Sequence, residues 1–426
     1  MSAPRVLVDT FNLRLDKGTG IKTYGISLLE ALNALNFQVE LLGDRKVRES
    51  GIALLNEVAF YDVVEPKHDW LYRLREKRDF LTATLFAGVT ATAIDPGLVV
   101  SQYAQFSRGY SKGFSRIWNA YRVYDRAFAR FMAVGGFAKL KLKNPPAIFH
   151  ATTALPIVVP GAKLVTTIHD LIPLKLPFTT LDNKRTFYRL IGKTLKKSDM
   201  VLTVSECSKR DILSMYDVDP AKVQVTYQSL PKPKPVDQPL AEALLRSYKL
   251  KPRGYVLFAG NIEPKKNLSP LVRAVGSLSK RLPLVVVGAK AWLWEKPIKE
   301  GQRYLRKNFI QLDYLARDEL SALMANAACF VFPSLYEGFG LPPLEAMQVG
   351  TPVCASNASS LPEVLGDAAL YFDPERSDQI RQQIERVLDD PVFAAGMIER
   401  GYQRVEAFSP ARYAERIKDA YARVLK

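Results

Sequence analysis

Short, uniformly apolar runs alternate along this chain with stretches of helical periodicity. Residues 5–9 (RVLVD), 37–42 (FQVELL), 147–151 (AIFHA), 163–168 (KLVTTI) and 200–204 (MVLTV) are rich in β-branched residues and show little in/out alternation. That pattern predicts strands covered on both faces. A Gly18-Thr19-Gly20 loop separates the first two runs, and a helical pattern starts near Ile21 and continues through TYGISLLEALNAL. Residues 182–197 read as a basic helix, and SECSKRDILSMY opens another with Ser205 as its N-cap. Strand, glycine loop, helix, strand is the opening of a parallel α/β sheet. Residues 222–226 predict the last strand of this half.

The segment 229–237, SLPKPKPVD, interrupts the alternation with three prolines and two lysines, which favour extended chain over helix. The pattern then restarts, with strands predicted at 255–259, 284–287, 309–312 and 329–332, helices between them, and a final helix over 411–425. The expected organisation is an N-terminal α/β domain over 1–235, a second over 236–408, and a C-terminal helix over 409–426. At 426 residues the chain is long enough for two cores.

Composition narrows the picture. The chain is 48% hydrophobic and 24% charged, a globular balance, and carries a formal charge of +17. Such an excess favours anionic partners, whether nucleic acid, acidic lipid or phosphorylated ligands. The three cysteines have no metal-ligand spacing and read as reduced thiols of a cytosol-like compartment, and three histidines make a His-rich metal site unexpected. The opening residues lack a charged leader with an apolar run, so no signal peptide is expected. Residues 80–94 are too short and too Thr-rich for a bilayer span and read as a core or interfacial segment.

The stretch 101–143 stands apart, with nine basic residues, one acid and ten aromatics. On a helical wheel Phe114, Trp118, Tyr121 and Phe128 share one face, and Arg122, Arg126 and Arg130 another. Two readings stay open. One is a surface helix with aromatics in the core and arginines in water. The other is a basic amphipathic helix on an anionic membrane surface, with Trp118 and the three arginines as contacts.

The most chemically suggestive segment is 331–345, VFPSLYEGFGLPPLE. A strand ends at Phe332, and Pro333 and Ser334 turn the chain. Glu337-Gly338-Phe339-Gly340 predicts a tight loop whose small residues let backbone N–H groups approach a ligand. Leu341-Pro342-Pro343 then opens a helix, and a helix N-terminus behind a glycine loop favours anions such as a diphosphate. Glu337 and Glu345 bracket the loop, placed to hold two parts of one polyhydroxyl ligand. Asp217-Val218-Asp219, before Pro220, reads as a helix-to-strand turn and not a metal site. His150 is expected at a strand end near the cleft.

Residues 331–345 resemble the E-x7-E signature of retaining GT-B glycosyltransferases, specifically the mannosyltransferase-like enzymes of family 4. VGTPVCASNASSLPEVLGDAALYFDP (349–374), YVLFAGNIEPKKNLSPLVRAV (255–275), Gly18-Thr19-Gly20-Ile21, TTIHDLIPL (166–174) and LTVSECSKRDIL (202–213) are similar to that family in the same order. The resemblance covers most of the chain outside about 60–145. It implies an α/β GT-B fold, two Rossmann-like domains facing a cleft that opens and closes. The donor, a nucleotide diphosphate sugar, would sit mainly on the second domain and the acceptor on the first.

By the same resemblance Glu345 would bind the ribose hydroxyls, and Glu337 would lie by the donor sugar with the 338–341 amides. Lys266 would neutralise the diphosphate. Ser334, Gly338, Phe339, Gly340 and Leu341 would line the donor site, as would Gly18, Gly20 and Gly260. Many relatives carry Arg where this chain has Asn261, so Lys265 is the candidate for the second cationic contact. His169 would face the donor sugar and the acceptor. Glu337, His169 and Lys266 form the catalytic set.

No cofactor or metal is expected. The first donor candidate is GDP-mannose, and the acceptor a saccharide or lipid-linked saccharide of bacterial surface polysaccharide. The expected location is cytoplasmic, with a peripheral position on the inner face of the cell membrane. Retention would follow from same-face attack, or from double displacement through Glu337. Open alternatives are a nucleotide-sugar epimerase or phosphorylase on the same fold, a nucleic-acid-binding protein, and a non-catalytic subunit; no nucleic-acid module is visible, so none is expected as partner.

Overall fold

The structure is a computed structural model that describes residues 3–14, 20–47, 50–62, 88–95, 97, 99, 113–232 and 235–426. The strands of the first half are β1 (Arg5–Asp9), β2 (Gln38–Gly43), β3 (Gly88–Thr90), β4 (Thr92–Ile94), β5 (Arg116–Asn119), β6 (Ala138–Lys141), β7 (Ile148–Ala151), β8 (Ile157–Val158), β9 (Lys163–Ile168), β10 (Met200–Thr203) and β11 (Val223–Val225). Eight of them form one sheet in the order β11-β10-β9-β7-β1-β2-β5-β4, parallel except where β4 runs against β5. β3, β6 and β8 make a small separate sheet.

The second half contributes β12 (Val256–Ala259), β13 (Leu284–Val287), β14 (Phe309–Leu312), β15 (Cys329–Phe332), β16 (Val353–Ser356) and β17 (Ala369–Phe372). They form an all-parallel sheet in the order β14-β13-β12-β15-β16-β17. Every residue of β12, β13, β15 and β16 is buried, because parallel crossovers lay helices on both faces. This accounts for apolar runs without alternation.

Strand order reverses direction between β1 and β7 in one sheet, and between β12 and β15 in the other. Loops leaving the carboxyl ends of strands on either side of such a switch diverge and leave a crevice, where open α/β sheets bind ligands. Residues 10–14 and 152–153 flank the first switch point, and 260–267 and 333–340 the second.

Two chain crossings join the halves, and they are tied together. Leu230 N–H donates to Phe408 O at 2.7 Å, and Phe408 packs edge-on to Tyr227 and Phe339 at 5.9 and 5.4 Å between centroids. The chain then returns to the first half as the helix Pro410–Val424, which lies on the first helix, Gly20–Ala34. Tyr421 stacks edge-on to Phe37 at 5.4 Å and meets His150 Nδ1 at 2.7 Å. Tyr413 lies edge-on to Tyr24 at 6.2 Å.

The wheel drawn through 114–130 is corrected by the structure. Residues 116–119 are strand β5, hydrogen-bonded between β2 and β4, and the helix starts only at Val123. Arg122 marks the break, with left-handed φ of 52°. Trp118 is 3% exposed, and its indole N–H donates to Glu40 at 2.8 Å, so it is a core residue and no membrane contact. Arg122, Arg126 and Arg130 are half-buried: Arg122 pairs with Asp125, Arg126 lies over the Tyr121 ring, and Arg130 donates to Phe137 O.

Candidate functional site

The loop after β15 is held open at its carbonyls by serines. Ser360 Oγ donates to Glu337 O and to Phe339 O, both at 2.9 Å, and Glu337 N–H donates to Ser359 Oγ. Ser205 Oγ of the first half donates to Gly338 O at 2.7 Å. These bonds consume the loop's acceptors and turn its donors outward. Among the described residues, the N–H groups of Gly338, Phe339 and Gly340 donate to no protein acceptor. Gly340 has φ of +110° and caps the helix Leu341–Gln348, a conformation that suits glycine.

The N-terminus of that helix meets another. A Cβ placed on Gly20, the first residue of the helix Gly20–Ala34, would stand 3.9 Å from Leu341 Cδ1. Two helix N-termini therefore converge from opposite halves, each carrying about half a positive charge. Gly18 lies outside the described residues.

Lys266, in the turn after β12, reaches into the same region. Its Nζ lies 2.6 Å from Glu337 Oε1 and 4.7 Å from the Phe332 ring centroid. Both side chains are nearly out of solvent, at 11% and 12% exposure. Burial alone would push Glu337 up; Lys266, then Lys265, and the Ser334 hydroxyl outweigh it and hold the carboxyl below its usual range. Lys265 shows the mirror image. Burial pulls it down, but Glu337, Glu263 and Asp170 together raise it, and it pairs with Glu263 at 3.4 Å. Gly260 follows β12, and the side chain of Asn261 is exposed and forms no hydrogen bond among the described residues. The structure thus brings Lys265, Lys266, Ser334 and Glu337 together, with the Asn261 side chain facing solvent next to Gly260, where a Cβ would lie 3.5 Å from Lys266 Cε.

His169 follows β9. Its Nε2 lies 2.9 Å from Thr152 O, its ring meets the Tyr24 edge at 4.8 Å, and burial pulls its pKa down to about 4. It is a neutral imidazole at pH 7, and the Thr152 carbonyl fixes the proton on Nε2. His150 is wholly buried between Tyr421 and Thr167, and burial lowers it to about 3. Thr167 also meets Tyr24 at 2.6 Å. One buried network therefore links the C-terminal helix to the ring beside His169.

The two halves close on one another beside this site. A Cβ on Gly338 would stand 2.7 Å from His169 O and 3.0 Å from Asp170 Cβ, so only glycine allows the contact. Glu363 accepts the N–H groups of Glu206 and Cys207, at 2.6 and 2.9 Å, at the N-terminus of the helix Glu206–Met215. Tyr336 donates to Asp211, which also pairs with Lys175 at 2.8 Å. Sequence reasoning missed Asp170, Tyr336 and Glu363. All three stood inside quoted motifs, but nothing local in those motifs signals the contacts they make across the two halves. It missed Asp9 as well, at the end of β1, where burial raises the carboxyl to about 6 against hydrogen bonds from Thr152 and Phe11.

Glu345 sits apart from Glu337, on the helix Leu341–Gln348. With Arg317, Lys232, Ser321 and Gln348 it lines a cavity of about 100 Å³. Burial raises its pKa, Arg317 opposing. No protein group hydrogen-bonds its carboxylate among the described residues. Phe339 differs from expectation: its ring is 4% exposed against Tyr227 and Phe408, so it offers a ligand only its backbone.

Residues 243–404 match the family described as glycosyl transferases group 1, and residues 102–229 the one described as glycosyltransferase family 4. Among curated relatives, the O-antigen chain mannosyltransferase B of Escherichia coli is 36% identical over 259 residues, 58% of this chain and 67% of that protein. The serotype-specific mannosyltransferase WbdA of E. coli is 31% identical over 276 residues, 62% of this chain but 34% of that longer protein. Sucrose-phosphate synthase from Thermosynechococcus elongatus superposes with a TM-score of 0.67 over 99% of both chains, at 17% identity. Anabaena HepE in complex with UDP and glucose superposes at 0.62, at 15% identity, over 98% of this chain and 99% of its own. At such identities the likeness is one of fold. No helix among the described residues is long and apolar enough to cross a membrane.

Proposed function

Because the chain belongs to the group 1 glycosyltransferases, we propose that it is a retaining mannosyltransferase moving mannose from a nucleotide diphosphate, GDP-mannose first, to a lipid-linked saccharide of surface polysaccharide. The mannosyl assignment leans on the two E. coli relatives. The observation that carries the mechanism is the buried Lys266–Glu337 pair beside two converging helix N-termini and three undonated loop amides.

Breaking the bond from the sugar's anomeric carbon to the phosphate oxygen loads negative charge onto the leaving diphosphate. Lys266, Lys265, the helix N-termini and the 338–340 amides are aimed where that charge grows, so they stabilise the transition state more than the ground state. The acceptor oxygen bonds the anomeric carbon on the face the phosphate leaves, and its proton passes to the departing phosphate oxygen. No metal is needed for this charge balance. Glu337 orients Lys266 and the sugar; Glu345 takes the ribose hydroxyls. Neutral His169 donates to Thr152 O through Nε2, and its Nδ1 accepts from the Gln228 amide at a long 3.5 Å, a contact that a substrate hydroxyl would share or displace. Closure at Gly338 excludes water.

Thermal unfolding with GDP-mannose, GDP, UDP and UDP-glucose, in EDTA, tests the donor. Guanine nucleotides are expected to raise the midpoint of the wild type and not of Glu345→Ala. A shift by UDP compounds alone overturns the donor, and an equal shift in Glu345→Ala overturns the site.

A further inference from the structure

The loop that begins at His169-Asp170 ends on exposed apolar residues. Phe178 is 69% exposed and Leu181 79%, within twelve residues of His169. The helix Lys184–Lys197 follows, KRTFYRLIGKTLKK, with six basic residues and no acid. Its N-terminus lies at the carboxyl end of the sheet, because the helix runs back from β9 to parallel β10. Arg185, Tyr188, Arg189, Lys196 and Lys197 are exposed, while Leu190, Ile191, Thr194 and Leu195 face the core. None of the six cations pairs with a carboxylate among the described residues. The surface continues onto the neighbouring helix Val123–Val134. Lys193 Nζ donates to Gly135 O at 2.5 Å, beside Met132 and Val134, which are 59% and 56% exposed.

Apolar side chains standing proud of an unpaired cationic helix match a bilayer bearing anionic lipid: the apolar groups enter the acyl boundary while the cations stay at the phosphates. We propose that the helix Lys184–Lys197, with Phe178 and Leu181 at its head, is a docking surface for anionic phospholipid bilayer. It sets the His169 side of the cleft against the membrane, where a lipid-linked acceptor is presented. The purpose rests on the acceptor proposed above; the surface does not, and its test uses neither donor nor acceptor.

The full chain is sedimented with vesicles of phosphatidylcholine alone, or of equal parts phosphatidylcholine and phosphatidylglycerol. Binding is expected only to the anionic vesicles and should weaken with salt. Each basic residue near such a surface contributes about fivefold. Arg185→Ala/Arg189→Ala/Lys196→Ala should therefore bind about a hundredfold less tightly. Phe178→Ser/Leu181→Ser should also weaken binding, with the salt dependence kept. All five positions are exposed, so unchanged unfolding midpoints certify the variants. Arg122→Ala/Arg126→Ala/Arg130→Ala is expected to bind like the wild type. Equal binding by the first triple variant, loss in the second triple variant alone, or tighter binding to random duplex DNA than to anionic vesicles overturns the proposal. Failure of the donor test would leave these outcomes untouched.

Discussion

Replacing Lys266 by methionine keeps the stem that packs over Phe332 and removes only the charge. The partner left behind, Glu337, is 12% exposed and has burial working against its ionised form. Removing one partner of a buried ion pair costs about 3–5 kcal/mol. Lys265 still faces Glu337, so the lower end, about 3 kcal/mol, is expected here. Adding Glu337→Gln removes the stranded carboxylate and should restore most of that stability. Activity should behave differently. Loss of a group that meets charge developing on the leaving diphosphate lowers turnover by about 10²–10³-fold. The second substitution cannot return it. Urea unfolding and steady-state kcat/KM on the two single variants and the double close the cycle. Unchanged turnover in Lys266→Met refutes the cation's role. A double variant no more stable than the single refutes the charge-burial reasoning. The divergence of the two readouts is the signature, because a merely structural lysine would lose and regain both together.

Gly338→Ala puts a methyl 2.7 Å from His169 O, and neither backbone can give way cheaply. Closure should fail, with kcat/KM down at least about tenfold, on an overpacking cost of about 1–3 kcal/mol; nucleotide affinity measured by calorimetry should hold, and wild-type turnover would refute a closed catalytic state. For pH, His150 titrates near 3 folded against 6.5 unfolded, so the unfolded chain takes the proton first as pH falls. The stability this neutral imidazole confers is full above 6.5 and drains below it, reaching a loss of about 2–3 kcal/mol at pH 4.5. His150→Asn should start less stable at pH 7 but show a correspondingly flatter decline in urea midpoint; parallel slopes would refute the burial argument.

Strands and their covering helices were legible because burial on both faces writes itself as contiguous apolar runs, as in β12, β13 and β15. The stretch around Trp118 misled for a related reason. Four residues of strand are too few to display their period against a helix wheel, and the signal that ends the wheel, a left-handed Arg122, is not written in residue type. Within the candidate site, the loop around Glu337 was readable because glycine and proline announce backbone geometry. What those residues touch was not. Gly338 meets His169 across 169 positions of sequence, and Glu363 caps a helix that begins 157 residues earlier. Both contacts exist only when the halves close, so their chemistry is set by the join and not by either segment. The same holds for the chain from Tyr421 through His150 and Thr167 to Tyr24. Each member alone reads as an ordinary core residue. Together they let a helix reached from the second half brace the ring against which His169 is held, so the returning C-terminal helix is part of how the first half keeps its histidine in place.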